Sequence, residues 1–345
     1  MDKKTSSIEF FKSLFSYFNL KPSNRINAEK PKDLFTWIVQ RIAELFGSIL
    51  LSLLLLGLST TISYQQNNPI IIEHYFLHPV LVGLYAGFIA VGLVLFIFLR
   101  WSCDLNPAVS LTRYLNGTND GWYASYKILA QFIGGIFAAL IIYGVGHSLV
   151  GEKFISNLPI NSISSAEKGL GPVKPETLEG KLISGSIWIF FAELLITTIL
   201  LVPIFSPRID GKYRDTFIMV LISFSVWAGI LSSTAALNPV RGLAQQLPLL
   251  FFESSHNSAG FLEYTKMVAK NVNDNNAVWN GVVSGTVSML LGTLFLPFFY
   301  LFLQGFTEKV FNPFVAKVIS FKNYKAQNMF KPNKKDKKII LKITR

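Results

Sequence analysis

The chain has 345 residues, of which 51% are hydrophobic and only 15% are charged, and its mean hydropathy is +0.42. Soluble domains carry about 25% charged residues, so this composition excludes an ordinary soluble protein. The lone cysteine, Cys103, excludes an internal disulfide, and the four histidines lack the H-E-x-x-H spacing of zinc enzymes. No nucleophile–base set or phosphate-binding glycine loop stands out. The sequence therefore predicts no enzyme, no metal site and no cofactor.

Long uncharged apolar runs predict six membrane-spanning helices, because about 20 apolar residues cross a bilayer. The expected spans are 34–63, 79–99, 122–145, 182–205, 216–233 and 277–303. A leader (1–34) precedes the first half (35–147), a polar loop (148–181) joins it to the second half (182–305), and a basic tail (306–345) follows. This pattern predicts an all-α membrane protein.

Two tripeptides, Asn106-Pro107-Ala108 and Asn238-Pro239-Val240, each follow a long apolar run. Asn is a favoured helix N-cap and Pro is favoured at the first helical position, so each tripeptide predicts a helix start. The expected short helices, 107–115 and 239–251, rise about 15 Å, which is half of the hydrocarbon core. They are predicted to be re-entrant half-helices whose positive N-termini point at the bilayer interior.

The basic residues predict the orientation. With six spans, 25 of the 32 Lys and Arg residues fall on the side that holds both termini, and seven fall on the other. The positive-inside rule then places both termini in the cytoplasm of a multi-pass cell-membrane protein. The basic tail is expected to attract anionic lipid headgroups of the bilayer rather than nucleic acid.

Two carboxylates, Glu44 and Glu193, lie inside apolar spans, 62 and 45 residues before the respective Asn. Three spans per half reverse the second copy, which predicts an inverted 3+3 repeat. The carboxylates can form a proton-relay pair, or they can accept hydrogen bonds from backbone N–H groups of the re-entrant loops. The matching positions favour the structural role, which Gln131 is expected to share.

Several further residues are expected to line a pore. Arg241 lies one turn into the second half-helix and places a permanent cation at the outer mouth. Backbone carbonyls before each Asn are expected to form a ladder of acceptors. The residues chosen for it are Ser102, Cys103, Asp104, Thr234 and Ala236. Small residues, among them Gly134, Gly135, Gly281 and Gly285, are expected to let helices pack closely.

Together these motifs resemble the major intrinsic protein family, the aquaporins and glycerol facilitators. The segments carrying the resemblance are Ala43-Glu44-Leu45-Phe46-Gly47, Leu105-Asn106-Pro107-Ala108-Val109-Ser110, Ala130-Gln131, Ala192-Glu193-Leu194 and Leu237-Asn238-Pro239-Val240-Arg241. The resemblance implies a six-helix bundle with four pores per homotetramer. It also implies that Asn106 and Asn238 meet at the midplane and that Arg241 forms one wall of an outer selectivity filter.

By spacing from the two Asn residues, the other filter walls are Ala86, Val226 and Ala235, and a slip of one residue would substitute Tyr85 or Ser225. Members of the family usually place aromatic or histidine side chains at two of these walls. Gly242 stands where glycerol facilitators often carry Asp, and Asp104 stands where His is frequent. Val240 replaces the usual Ala and is expected to narrow the midplane slightly.

The sequence therefore predicts a passive channel for small neutral solutes, glycerol or similar polyols with water following, that excludes ions and protons. Three alternatives stay open: a water-selective aquaporin, a secondary transporter coupled through Glu44 and Glu193, and a structural membrane protein with a closed pore. The loop 148–181 and the polar insertion 253–276 can cover the mouth or bind a partner.

Overall fold

The computed structural model describes residues 3–65, 68–75, 78–151, 153–252, 259–268 and 274–328. It divides into a larger unit, residues 19–300, and a smaller one formed by residues 1–18 and 301–345. The helices are α1 (Lys3–Leu14), α2 (Leu34–Leu56), α3 (Ile72–Tyr75), α4 (Pro79–Phe98), α5 (Pro107–Leu115), α6 (Gly121–Val150), α7 (Ser162–Gly169), α8 (Leu178–Phe205), α9 (Gly211–Ser232), α10 (Pro239–Leu247), α11 (Ala259–Val268), α12 (Asn275–Phe306) and α13 (Asn312–Asn328). Two strands, β1 (Thr61–Gln65) and β2 (Asn68–Ile71), pair antiparallel.

The prediction of six spans is confirmed: α2, α4, α6, α8, α9 and the helix that begins with α12 are long and apolar enough to cross a membrane. The prediction that the first span reaches residue 63 is wrong. Helix α2 ends at Leu56, and a short 3₁₀ turn leads into β1. The β-branched run Thr60-Thr61-Ile62 disfavours helix and suits a strand, which explains the early end.

The short helix after Asn106 has the predicted bounds, whereas the one after Asn238 is shorter than predicted. Helix α10 ends at Leu247 and residues Pro248–Phe252 form a π-helical turn. Pro248 has no backbone N–H to donate and its ring crowds the preceding turn, so it ends the regular helix there.

The segment between the two halves is more structured than the predicted loop. It contains α7, whose N-cap Asn161 accepts a hydrogen bond from the Ile163 N–H at 2.9 Å. The Asn161 amide also donates to the Val278 carbonyl of α12 at 3.1 Å. Upstream, the Thr61 N–H donates to the Ser156 carbonyl at 2.9 Å. The segment is therefore fixed to both halves of the larger unit.

Glycines allow close helix contacts in the larger unit. A Cβ at Gly134 of α6 would lie 2.7 Å from the Leu45 carbonyl oxygen of α2, so α2 and α6 approach backbone to backbone. Gly281 and Gly285 of α12 were expected to let helices pack closely. They instead face the connecting segment, where a Cβ would meet Asn161 and the Ile160 carbonyl.

The smaller unit packs the end of α1 against the C-terminal helices. The rings of Phe15 and Phe302 lie 5.6 Å apart, and the Tyr17 hydroxyl donates to the Glu308 carboxylate. Residues 19–33 belong to the larger unit, where the Asn19 N–H donates to the Leu115 carbonyl at 2.9 Å.

Gly134→Ala is expected to destabilise the protein, because the added methyl overlaps the Leu45 carbonyl and overpacking costs about 1–3 kcal/mol. The matched control is Gly144→Ala on the same helix, where a Cβ would meet no atom within 4 Å. The measurement is the thermal unfolding midpoint in detergent. Equal midpoints for the two variants would contradict the close α2–α6 contact.

Candidate solute pathway

The loop before Asn106 is held by one buried carboxylate. Glu44 accepts hydrogen bonds from the Ser102 hydroxyl, from the Asp104 N–H at 3.0 Å and from the Leu105 N–H at 2.8 Å. The Gln131 amide donates to the same carboxylate at 2.7 Å. Glu44 is fully buried, so these donors replace the water that the carboxylate and the loop N–H groups lose.

The loop before Asn238 makes the same set of contacts. Glu193, also fully buried, accepts from the Thr234 hydroxyl, from the Ala236 N–H at 2.7 Å and from the Leu237 N–H at 3.0 Å. Each carboxylate thus binds the two N–H groups that immediately precede the Asn. These groups lie outside any helix or strand and would otherwise be unpaired.

The residue before each Asn has a left-handed backbone. Leu105 has φ 49° and Leu237 has φ 57°, a backbone region that residues other than glycine rarely adopt. The cost is about 1–2 kcal/mol per residue. The N–H of each Leu donates to its buried glutamate, and its carbonyl accepts from the opposite Asn. The surrounding hydrogen bonds therefore hold both strained peptides.

Asn106 and Asn238 bind each other's loops. The Asn106 amide nitrogen donates to the Leu237 carbonyl at 3.0 Å, and the Asn238 amide nitrogen donates to the Leu105 carbonyl at 2.7 Å. Each side-chain oxygen caps its own helix by accepting from the N–H two residues on, Ala108 or Val240, at 2.9 Å. The N-termini of α5 and α10 therefore meet, and each amide keeps one further N–H that is not used in these bonds.

Beside the second loop lies a cavity of about 250 Å³, here called the Arg241 cavity. All four residues assigned to the filter line it, although they come from three different helices and one loop. Its lining includes Leu58, Glu73, Ala86, Lys168, Val226, Thr234, Ala235, Ala236, Arg241 and Tyr264. The guanidinium of Arg241 is positioned by bonds to the Gln245 side-chain oxygen at 2.8 Å and to the Ala235 carbonyl at 3.2 Å.

The sequence did not single out Glu73 and Lys168, two charged residues that line this cavity. Lys168 is on α7 in the connecting segment, and burial raises the pKa of the Glu73 carboxyl. Both residues are far along the chain from the two Asn motifs, so no local sequence pattern indicated that they line the cavity.

Among the assigned ladder residues, the carbonyl of Thr234 accepts a hydrogen bond from the Ser232 hydroxyl at 3.1 Å. Ala236 lines the Arg241 cavity. On the first loop, the Cys103 side chain is partly buried against a cluster that includes Ala43, Val94 and Leu105.

Val240, which is expected to narrow the midplane slightly, packs against α6 on one side. Its side chain is fully buried and points at Gly135 of α6, where a Cβ would lie only 2.6 Å from Val240 Cγ1. The Cγ1 methyl occupies the space that this glycine leaves. At Gly242, Met289 and Ala236 fill the neighbouring space, within 2.8 Å of an added Cβ, so a larger residue does not fit.

Asp104 is the centre of a buried charged cluster. Its carboxylate accepts from the Ser110 hydroxyl at 3.0 Å, from Arg113 Nε at 2.9 Å and from Lys127 Nζ at 3.1 Å. Sequence reasoning noted the unusual Asp but missed both cations. Lys127 lies one helical turn before Gln131, which was expected to face the loop, and this i, i+4 spacing was the available signal.

Comparison with known proteins shows what this chain is similar to. Residues 33–256 match the sequence model of the family described as Major intrinsic protein, a range that includes both Asn-Pro motifs and five of the six spans. Among solved structures, the X-ray structure of the aquaglyceroporin from Plasmodium falciparum aligns with 81% of this chain and 99% of its own, at 19% identity and a TM-score of 0.46. No protein of curated function matched the sequence.

Glu193→Leu is expected to abolish solute flux and lower stability, because it leaves two backbone N–H groups and a hydroxyl without an acceptor, at about 1–3 kcal/mol each. Glu193→Gln keeps one acceptor oxygen and is expected to be intermediate. Glu179→Leu, at an exposed position of the same helix, is the control. Vesicle swelling and thermal unfolding measure the effects, and a Glu193→Leu variant as active as the control would contradict the role.

Proposed function

The chain belongs to the major intrinsic protein family, whose members are membrane channels for small solutes, and we propose that its own solutes are glycerol or similar polyols, with water following. The supporting observation is the composition of the Arg241 cavity. Ala86, Val226 and Ala235, the positions assigned to the filter together with Arg241, contribute no ring to its lining. At about 30 Å³ per water molecule, the cavity has room for several waters or one small polyol.

The proposed mechanism is passive exchange of hydration for protein contacts. At the filter, Arg241 offers fixed N–H donors, and the apolar side chains of Ala86 and Val226 face the carbon backbone of a polyol. At the centre, the remaining N–H of Asn106 and of Asn238 can each donate to one hydroxyl of the passing solute. No covalent step is needed, because the solute moves down its own gradient.

Ion and proton exclusion is proposed to arise from fixed positive potential. The N-termini of α5 and α10 meet where the two Asn side chains cross, and each carries about half a positive charge. Arg241 adds a full charge at the filter. A cation that loses its hydration shell in this region meets positive charge instead of new ligands, so the lost hydration free energy is not recovered. A neutral hydroxyl group, in contrast, finds hydrogen-bond partners.

The orientation and assembly follow the family and the charge distribution. The excess of Lys and Arg on the side of both termini supports a cytoplasmic location for them in the cell membrane. The Arg241 cavity then opens to the outside, and α7 and α11 cover it in part. A homotetramer with one pore per protomer is the proposed assembly.

The alternative of a coupled transporter receives less support. Glu44 and Glu193 are the two carboxylates with which a coupling site was envisaged, and both accept several hydrogen bonds from their loops. A carboxylate that accepts these bonds has to stay ionised, whereas a proton-coupling site has to gain and lose a proton. Solute flux that is independent of proton and sodium gradients is therefore expected.

Ala86→Trp and Val226→His are expected to reduce glycerol flux several-fold while reducing water flux much less, because each adds a ring to the filter and narrows it. Stopped-flow light scattering on proteoliposomes, with water, glycerol, urea and larger polyols, measures both fluxes. Ile89→Trp, which adds the same ring at an exposed position of α4, is the control. Equal loss of both fluxes would contradict this filter assignment.

A further inference from the structure

The charged cluster around Asp104 is distinct from the Arg241 cavity, and among its side chains only Glu44, which holds the loop before Asn106, has a role in the account above. It contains two carboxylates, Asp104 and Glu44, and two cations, Arg113 and Lys127. Lys127 Nζ lies 3.1 Å from Asp104 and 3.9 Å from Glu44, and Arg113 Nε lies 2.9 Å from Asp104. The side chains of Asp104 and Lys127 are only 4% and 7% exposed. With all four groups ionised, the formal charges of the cluster sum to zero.

The cluster surrounds the loop before Asn106. This loop is the counterpart of the loop before Asn238, which lines the Arg241 cavity. Asp104 is two residues before Asn106, as Ala236 is two residues before Asn238. Ala236 lines the Arg241 cavity. The two loops make equivalent bonds to Glu44 and Glu193, so Asp104 occupies the equivalent place beside the path on the opposite side of the Asn pair. The second loop has a methyl group at the place where the first has a full negative charge.

An uncompensated carboxylate at this place would oppose ion exclusion. Coulomb interactions in a poorly screened interior act over several ångströms, so the carboxylate need not touch the path to attract a cation. It would lie close to the helix N-termini that are proposed to repel cations. A channel that carries Asp104 therefore needs matching positive charge beside it.

We propose that Lys127 and Arg113 are specificity-determining residues that neutralise Asp104 and so keep monovalent cations out of the pore. This inference rests on the proposed function as a channel for neutral solutes. The cations do not contact the solute. They act through the carboxylate, and the Ser110 hydroxyl contributes a hydrogen bond to it without contributing charge.

The test compares four variants in proteoliposomes: Lys127→Met, Arg113→Gln, Ser110→Ala and the double variant Asp104→Asn with Lys127→Met. Glycerol flux is followed by light scattering, and potassium leak by a potential-sensitive dye under a potassium gradient. Lys127→Met is expected to raise the potassium leak about tenfold or more, as an unpaired charge near the path lowers the free energy of a cation there. Arg113→Gln is expected to raise it less, because Lys127 remains.

The double variant and Ser110→Ala are expected to leak no more than wild type. The double variant has lost the carboxylate charge, and Ser110→Ala removes a neutral partner from the same oxygen. A leak in the double variant as large as in Lys127→Met would indicate damaged packing and overturn the proposal. An unchanged leak in Lys127→Met would also overturn it.

If Lys127→Met does not fold, Arg113→Gln decides the question, because the Arg113 side chain is 31% exposed and easier to replace. A leak equal to wild type in that variant would overturn the proposal. A wild type without polyol flux would contradict the proposed function, and the potassium leaks of the variants would still decide the role of the cations.

Discussion

The structure depends on one requirement: backbone N–H groups that are buried outside helices and strands must find acceptors within the protein. Glu44 and Glu193 meet it by accepting the two N–H groups before each Asn. A neutral side chain offers fewer acceptor positions than a carboxylate, and water is scarce in such a position. The two glutamates therefore determine where the loops, and with them the helix N-termini, are placed.

The central Asn pair follows from that placement. With Leu105 and Leu237 held in left-handed conformations, each loop presents its carbonyl to the Asn of the other. The capping bond made by each Asn oxygen leaves its nitrogen directed across the contact. The buried glutamates and the Asn pair explain how the two loops are held. The cluster around Asp104 and the absence of a ring at Ala86, Val226 and Ala235 depend on other residues of this chain.

The spans and the site residues were predictable from the sequence to different degrees. Length and apolarity predicted six spans, and Asn-Pro predicted the starts of α5 and α10, because these signals are local. Hairpin β1–β2 and helix α7 were missed. Both have weak local signals, and contacts with distant segments add to their stability: the Thr61 N–H donates to the Ser156 carbonyl, and the Asn161 amide donates to the Val278 carbonyl. The contact of Val240 with Gly135, about a hundred residues earlier, has no local pattern in the sequence that could indicate it.

The most direct measurement is an electron cryomicroscopy map of the protein in lipid nanodiscs, at a resolution that locates solvent. We expect a continuous file of ordered water or polyol that passes the Arg241 cavity and contacts the amide nitrogens of Asn106 and Asn238 near the centre of the bilayer. Asn106 and Asn238 far apart, outside the hydrocarbon slab, or separated from solvent by packed side chains would contradict it.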